Sequence, residues 1–202
     1  MTEIALVLLA AGGSSRMGKP KPLLPWGHST LLENRIETLQ KLQQPITLLL
    51  GSKAAQIAPR VTNKTIKTVI HSHWNQGMGS SIAFAVQSLM RQTQLPEGVL
   101  FTTIDQPLVD ADYLNQLLTQ FRPQQKHIIV SQSDTGWKGI PVLFDKDYFH
   151  ELAGLSGDEG AKAVVKKYSH HVQYLMAGYK LVDMDTPEQY ERLLKSTTNS
   201  DH

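Results

Sequence analysis

The sequence predicts an α/β protein built on a mostly parallel, mixed sheet with helices on both faces. Three observations carry that expectation. Short continuous apolar runs alternate with segments of helical hydrophobic spacing. The first run stops at a small-residue, glycine-containing loop, the pattern of a strand buried on both faces that ends at a ligand edge. In the second half two strand-like runs follow one another with little helix between them, which points to an antiparallel element inserted in the sheet.

Ile4 to Ala10 is the first buried strand. After a loop to about Ser29, Thr30 to Leu42 carries Leu31, Leu32, Ile36, Leu39 and Leu42 at helical spacing. Ile46 to Leu50, closed by Gly51, is a second strand; a short helix then leads to a third around Ile66 to Ile70. Ser80 to Met90 reads as helix, Val99 to Ile104 as strand and Asp110 to Phe121 as helix. His127 to Ser131 and Ile140 to Phe144 are the two adjacent strands. Asp158 to Tyr168 is a helix, Val172 to Met176 a strand and Pro187 to Leu194 a last helix. No linker or repeat divides the chain, so residues 1–195 are one domain and 196–202 a polar, fraying tail.

Composition narrows the function. At 202 residues the chain can bury a substantial single core. A net charge of +2, without a basic stretch, argues against a nucleic-acid surface. The absence of cysteine removes disulfides, zinc thiolates and thiol catalysis. The apolar N-terminal stretch is too short for a membrane span or a signal core with flanks, so the expectation is a cytoplasmic, enzyme-sized domain that engages neither membrane nor nucleic acid.

The chemistry concentrates in the first loop, Leu8 to Leu24. Ala10, Ala11, Gly12 and Gly13 leave room for close backbone approach to a ligand, and successive amides can form an anion nest. Arg16, Lys19 and Lys21 add cations suited to a triphosphate. A plain tight turn is the alternative. Gly13 to Lys19 fits the start of a Walker A loop, but Pro20 stands where a hydroxyl is required, and Pro20 and Pro22 stop a helix from following. The G-x-G-x-x-G dinucleotide fingerprint is absent too.

Asp105 follows the fourth strand at the ligand edge and suits Mg²⁺, which takes carboxylates together with substrate phosphates; a turn or cap before Pro107 is the alternative. Asp183 and Asp185 share a face if the segment is extended, although Asp185 also suits the N-cap of the last helix. Ser80 and Ser81 open a helix after Asn75-Gln76-Gly77-Met78-Gly79 and can hold a base, ribose or phosphate, or Ser80 is simply an N-cap. His71 and His73 share a face on a continued strand but lack a third metal ligand. Gly139, Pro141 and Asp158 lie in two further glycine-containing turns, where Asp158 also reads as a helix cap.

Taken together, LAAGGSSRMGKPK from Leu9, NQGMGSSI from Asn75, TIDQP from Thr103, GIPVLF from Gly139, GDEGA from Gly157 and DMDTPE from Asp183 resemble, in order, the motifs of the molybdenum cofactor nucleotidyltransferases. The similarity is greatest to the cytidylyltransferase branch; the guanylyltransferase branch carries LAGG where this chain has Leu9-Ala10-Ala11-Gly12. The family often has Gly-His-Pro where this chain has Gly139-Ile140-Pro141. The resemblance implies a Rossmann-like, three-layer α/β/α fold of the nucleotide-diphospho-sugar transferase type. It implies CTP and a molybdopterin-type acceptor as substrates, Mg²⁺ as cofactor, and a molybdenum hydroxylase or its chaperone as a partner. Arg16 and Lys21 would be catalytic; Leu9 to Ser14, Lys21 and Ser80 would bind nucleotide. Asp105 and Asp183 or Asp185 would hold metal, and Gly139, Pro141 and Asp158 would meet the acceptor. Alternatives are GTP as donor, a sugar phosphate or methylerythritol phosphate as acceptor, and a non-enzymatic chaperone of the cofactor.

Overall fold

The computed structural model describes residues 2–198. In chain order the elements are β1 (Ile4–Ala10), β2 (Pro25–Trp26), β3 (Ser29–Thr30), α1 (Leu31–Gln40), β4 (Ile46–Leu50), α2 (Ala54–Ile57), β5 (Lys67–Ile70) and α3 (Met78–Met90). They continue with β6 (Gly98–Thr103), α4 (Ala111–Gln120), β7 (Ile128–Ser133), β8 (Lys138–Asp145), α5 (Phe149–Ala153), α6 (Lys162–Lys167), β9 (Val172–Gly178) and α7 (Pro187–Thr198). Seven strands form one sheet in the order β5-β4-β1-β6-β8-β7-β9. β8 alone runs against its neighbours β6 and β7; the other pairings are parallel. The inserted antiparallel element is therefore this one strand.

β1 lies near the middle of the sheet, and its alternation creates two cores. Ile4, Leu6, Leu8 and Ala10 pack with α1, α2, α4 and α7 on one face. Ala5, Val7, Leu9 and Ala11 pack with α3, α5 and α6 on the other. That arrangement is the three-layer sandwich the apolar runs predict. α1 begins where Thr30 and Glu33 form a capping box, each side chain accepting from the other's backbone N–H.

Four local expectations are corrected. The helix expected from Asp158 to Tyr168 is confined to α6, because Gly157 (φ 69°) and Gly160 (φ 60°) hold left-handed turns that no α-helix accommodates. α5 fills space that the sequence pattern left unassigned. α3 begins at Met78 rather than at Ser80. α7 runs through Thr198, so residues 196–198 of the expected tail are helical; residues 199–202 lie outside the described residues.

Candidate active site

The sheet delivers the carboxyl ends of β1 and β6 side by side, and Ile104 N–H donates to the Leu9 carbonyl at 3.1 Å to extend their pairing. The glycine-rich loop leaves β1 there, and Asp105 leaves β6 there. Ser14, in left-handed conformation, accepts the Lys21 N–H on its hydroxyl at 3.2 Å and so folds the loop back over the strand end. Lys21 is thereby carried inward and its side chain is only 7% exposed.

A buried ammonium needs compensation. Lys21 Nζ donates to Asp185 Oδ1 at 2.7 Å and lies 3.0 Å from Asp105 Oδ1. Arg16, far more exposed, donates to the other Asp185 oxygen at 2.8 Å. The C-terminal segment reaches this point because Met184 N–H donates to the Asp105 carbonyl at 2.8 Å. Asp185 is not the cap of α7. Thr186 takes that role: its hydroxyl accepts from Gln189 N–H while Gln189 Oε1 accepts from Thr186 N–H. Asp185 is left free for the cations.

The three carboxylates differ electrostatically. Burial pushes Asp105 above the ordinary carboxylate range against the opposing pull of Lys21. Burial likewise raises Asp183, which accepts a hydrogen bond from Gln106 and feels repulsion from Asp105 and Asp185. Burial works to raise Asp185 as well, but the hydrogen bond and charge of Lys21, with Arg16, outweigh it and hold it low. The donor set is all oxygen, which fits a hard divalent cation. Among the described residues no three His, Cys, Asp or Glu side chains are grouped to hold an ion unaided. The fit is therefore to an ion held by one or two of these carboxylates together with ligand phosphates.

Two cavities meet at this point. One, of about 390 Å³, lies over the loop and is lined by Leu9, Ala10, Ala11, Gly12, Ser14 and Lys21 on one side and by Trp74, Asn75, Gly77 and Ser81 on the other. The second, of about 860 Å³, lies between the β7–β8–β9 face and the 158–169 segment. Met78, Thr103, Asp105 and Asp158 line both. Asp183, Asp185 and Gly139 line the larger one.

The remaining candidates fall less directly. Gly13 lies under the Trp74 indole, where a Cβ would come within 3.2 Å of the ring. Ser80 is buried inside α3, its hydroxyl donating to the Gly77 carbonyl and facing His71 Nε2 at 3.1 Å; its neighbour Ser81 faces the smaller cavity. His71 is stacked on Phe84, and burial pushes its imidazole down, so it is a core histidine. Pro141 is buried and gives its carbonyl to the Ser131 hydroxyl. Asp158 does not open a helix; it stands where the two cavities join. Sequence reasoning missed Trp74, Trp137, Lys138 and Tyr174 as lining residues. Aromatic residues beside the glycine-containing motifs were the available signal.

Residues 6–172 match the MobA-like NTP transferase domain. The chain belongs to that family. It is thus a nucleotidyltransferase with the nucleotide-diphospho-sugar transferase fold. Over 93% of the chain it is 29% identical to nicotine blue oxidoreductase of Paenarthrobacter nicotinovorans, covering 95% of that protein. Over 94% it is 25% identical to the molybdenum cofactor cytidylyltransferase of Escherichia coli K12, again covering 95% of the relative. The crystal structure of Rv0371c from Mycobacterium tuberculosis H37Rv superposes with a TM-score of 0.82 at 30% identity, over 96% of this chain and 98% of that one. A further structure of Rv0371c is a complex with manganese; it superposes at 0.79 with 28% identity, over 96% and 98% of the two chains.

Proposed function

We propose that this MobA-like nucleotidyltransferase transfers CMP from CTP to the terminal phosphate of a molybdopterin-type acceptor, with release of pyrophosphate. The observation that carries the reading is the meeting of two cavities at Asp105 and Thr103, beside the buried Lys21. A donor in the smaller cavity and an acceptor in the larger one would react where they join. CTP as donor is supported by Ala10-Ala11-Gly12 and by the cytidylyltransferase relative.

In this reading the loop amides and Arg16 hold the triphosphate, and Lys21 holds charge at the α-phosphorus. An oxygen of the acceptor phosphate attacks that phosphorus, the bond to the bridging oxygen of pyrophosphate breaks, and pyrophosphate leaves. A phosphate nucleophile is already ionised at neutral pH, so positioning and electrostatic stabilisation suffice without a general base. Mg²⁺ would be held by Asp105 with Asp183 or Asp185, and would supply further neutralisation of phosphate charge. Asp185 and Asp105 otherwise keep Lys21 and Arg16 in place. Gly139 and Asp158 line the acceptor side. The setting is the cytoplasm, and the recipient of the product is a molybdenum hydroxylase or its chaperone.

The test is pyrophosphate release with each nucleoside triphosphate against molybdopterin and against glucose 1-phosphate. CTP with molybdopterin should give the highest kcat/KM. Preference for GTP would reassign the donor, and preference for the sugar phosphate the acceptor. Oxidation of a nicotinamide dinucleotide without pyrophosphate release would overturn the reading altogether.

A further inference from the structure

An open sheet has two edges, and this chain builds them differently. β5, at one edge, is four residues long and begins with Lys67, a charge of the kind that keeps an edge from pairing. β9, at the other, is seven residues long, and Val172 to Tyr179 contains neither a charge nor a proline. Its inner side pairs with β7; among the described residues no strand pairs with its outer side. The one irregularity in that pairing, opposite Gln132 and Ser133, falls at the C-terminal end of β9, so Val172 to Met176 is a regular edge. Such an edge is a template for another strand.

Side chains alternate along the edge. Leu175 and Ala177 pack into the core that holds α1 and α4. Tyr174 and Met176 point the other way, to the side of the larger cavity, and stay 47% and 53% exposed. Lys138 Nζ covers one face of the Tyr174 ring, 3.9 Å from its centroid, so the ring is open on its remaining sides. The two ends of the edge carry opposite charge. Lys126 and His127 lead into β7, and His170 and His171 lead into β9 beside them, because Ile128 pairs in register with Val172. At the other end the Asp134 carboxylate leans over β9: a Cβ on Gly178 would lie 3.5 Å from its Oδ2. Among the described residues neither Lys126 nor Asp134 has an ion-pair partner, whereas Lys180 is taken by Asp110.

We propose that two copies of this chain join through β9, antiparallel about a two-fold axis at Tyr174, into one continuous sheet. An antiparallel pair on a two-fold axis sets each end of one copy against the opposite end of the other. Asp134 of each copy then comes level with Lys126 of the other, whereas a parallel pair would bring like charges together. Met176 of each copy faces Val172 of the other, and the two Tyr174 side chains meet across the axis. On the other face Gln173 pairs with Leu175. Every exposed apolar side chain of the regular edge thus gains an apolar neighbour from the same strand of the second copy. Tyr174 also lines the larger cavity, so the second copy walls the far side of that cavity, which a single chain leaves open.

Sedimentation velocity of the full chain between about 1 and 100 µM tests it. The wild type should sediment as a dimer at the upper end and dissociate on dilution, with amide exchange at residues 172–176 accelerating as it does. Tyr174→Lys sets like charges across the axis, and Met176→Lys adds a cation facing the basic end. Each should weaken the dimer by at least ~10-fold, because every change counts twice about the axis. Ile70→Lys, at the exposed end of β5, should leave it unchanged. Asp134→Lys should weaken the dimer at low salt, and adding Lys126→Asp to the same chain should restore it by rebuilding the attraction with its sign reversed. All these positions are exposed, so circular dichroism of the variants should match the wild type. The proposal is overturned if the wild type stays monomeric across the range, or if the dimer survives both lysine substitutions on β9. It is overturned equally if Ile70→Lys abolishes the dimer, or if dilution leaves exchange at residues 172–176 unchanged.

Discussion

Lys21 and Lys19 are two residues apart, yet the fold treats them as different species. Lys21 is buried between Asp105 and Asp185, whereas Lys19 is exposed and, among the described residues, makes no ion pair. A contact made mainly in the transition state lowers kcat when removed. Lys21→Ala should therefore cut kcat by at least ~100-fold, and Lys19→Ala should change it little. Steady-state kinetics on both variants decide the point; equal small effects would reduce the loop to an electrostatic patch. Asp105→Asn keeps the side-chain shape but removes charge, and should lower turnover strongly, most visibly at limiting Mg²⁺. Near-normal turnover there would make Asp105 a turn residue. At this scale the sequence was informative about residue type but not about partnership. It marked Arg16, Lys21, Asp105 and Asp185, but the bond from Lys21 to Asp185 spans 164 positions and has no local signature. The competing cap role of Asp185 could be resolved only by seeing Thr186 take it.

Among the elements, α4 shows how a cap can be tied into the tertiary structure. Asp110 accepts from Tyr113 N–H at 2.9 Å and also receives Lys180, which follows β9. Burial works to raise its pKa, but the bonds from Lys180 and the Tyr113 amide outweigh that and hold it below the ordinary value. A carboxyl depressed in the folded state stabilises above its unfolded pKa, and that stabilisation disappears as pH falls through the folded value. Asp110→Ala should then cost about 1 kcal/mol near neutrality, the usual worth of an N-cap. The difference should shrink as pH falls through the folded-state value. Urea unfolding of the two proteins at each pH measures it, and a constant difference would refute the linkage. The long, strongly periodic elements were legible in the sequence, β1 and β4 to the residue. The 157–161 region was not, because helical composition there is interrupted by glycines whose backbone sign no periodicity reveals.

Across the whole molecule, β1 is the seam between two cores. Leu8 is fully buried in one and Val7 in the other. Leu8→Ala should cost about 2–5 kcal/mol through lost transfer energy and a residual cavity. Because both cores share β1, the loss should appear as one cooperative transition shifted to lower urea, rather than as melting of one side. A biphasic curve would mean that the two layers fold independently. Strand–helix alternation was enough to predict these layers. It could not give the strand order, which sets a single reversed strand, β8, between the half that builds the smaller cavity and the half that builds the larger one.

The clasp of Lys21 by Asp185 also has a consequence during synthesis. Its two ends leave the ribosome in sequence, separated by 164 positions. At roughly 5–20 residues per second the lysine waits about 8–33 s for its second carboxylate. A nascent chain stalled after β9 already has every strand of the sheet, with Asp105 beside Lys21, but not the segment that completes the charge balance. Such a chain should carry a native-like sheet and a loop still open to protease near Arg16 and Lys19, a window that closes only when Asp185 and α7 emerge.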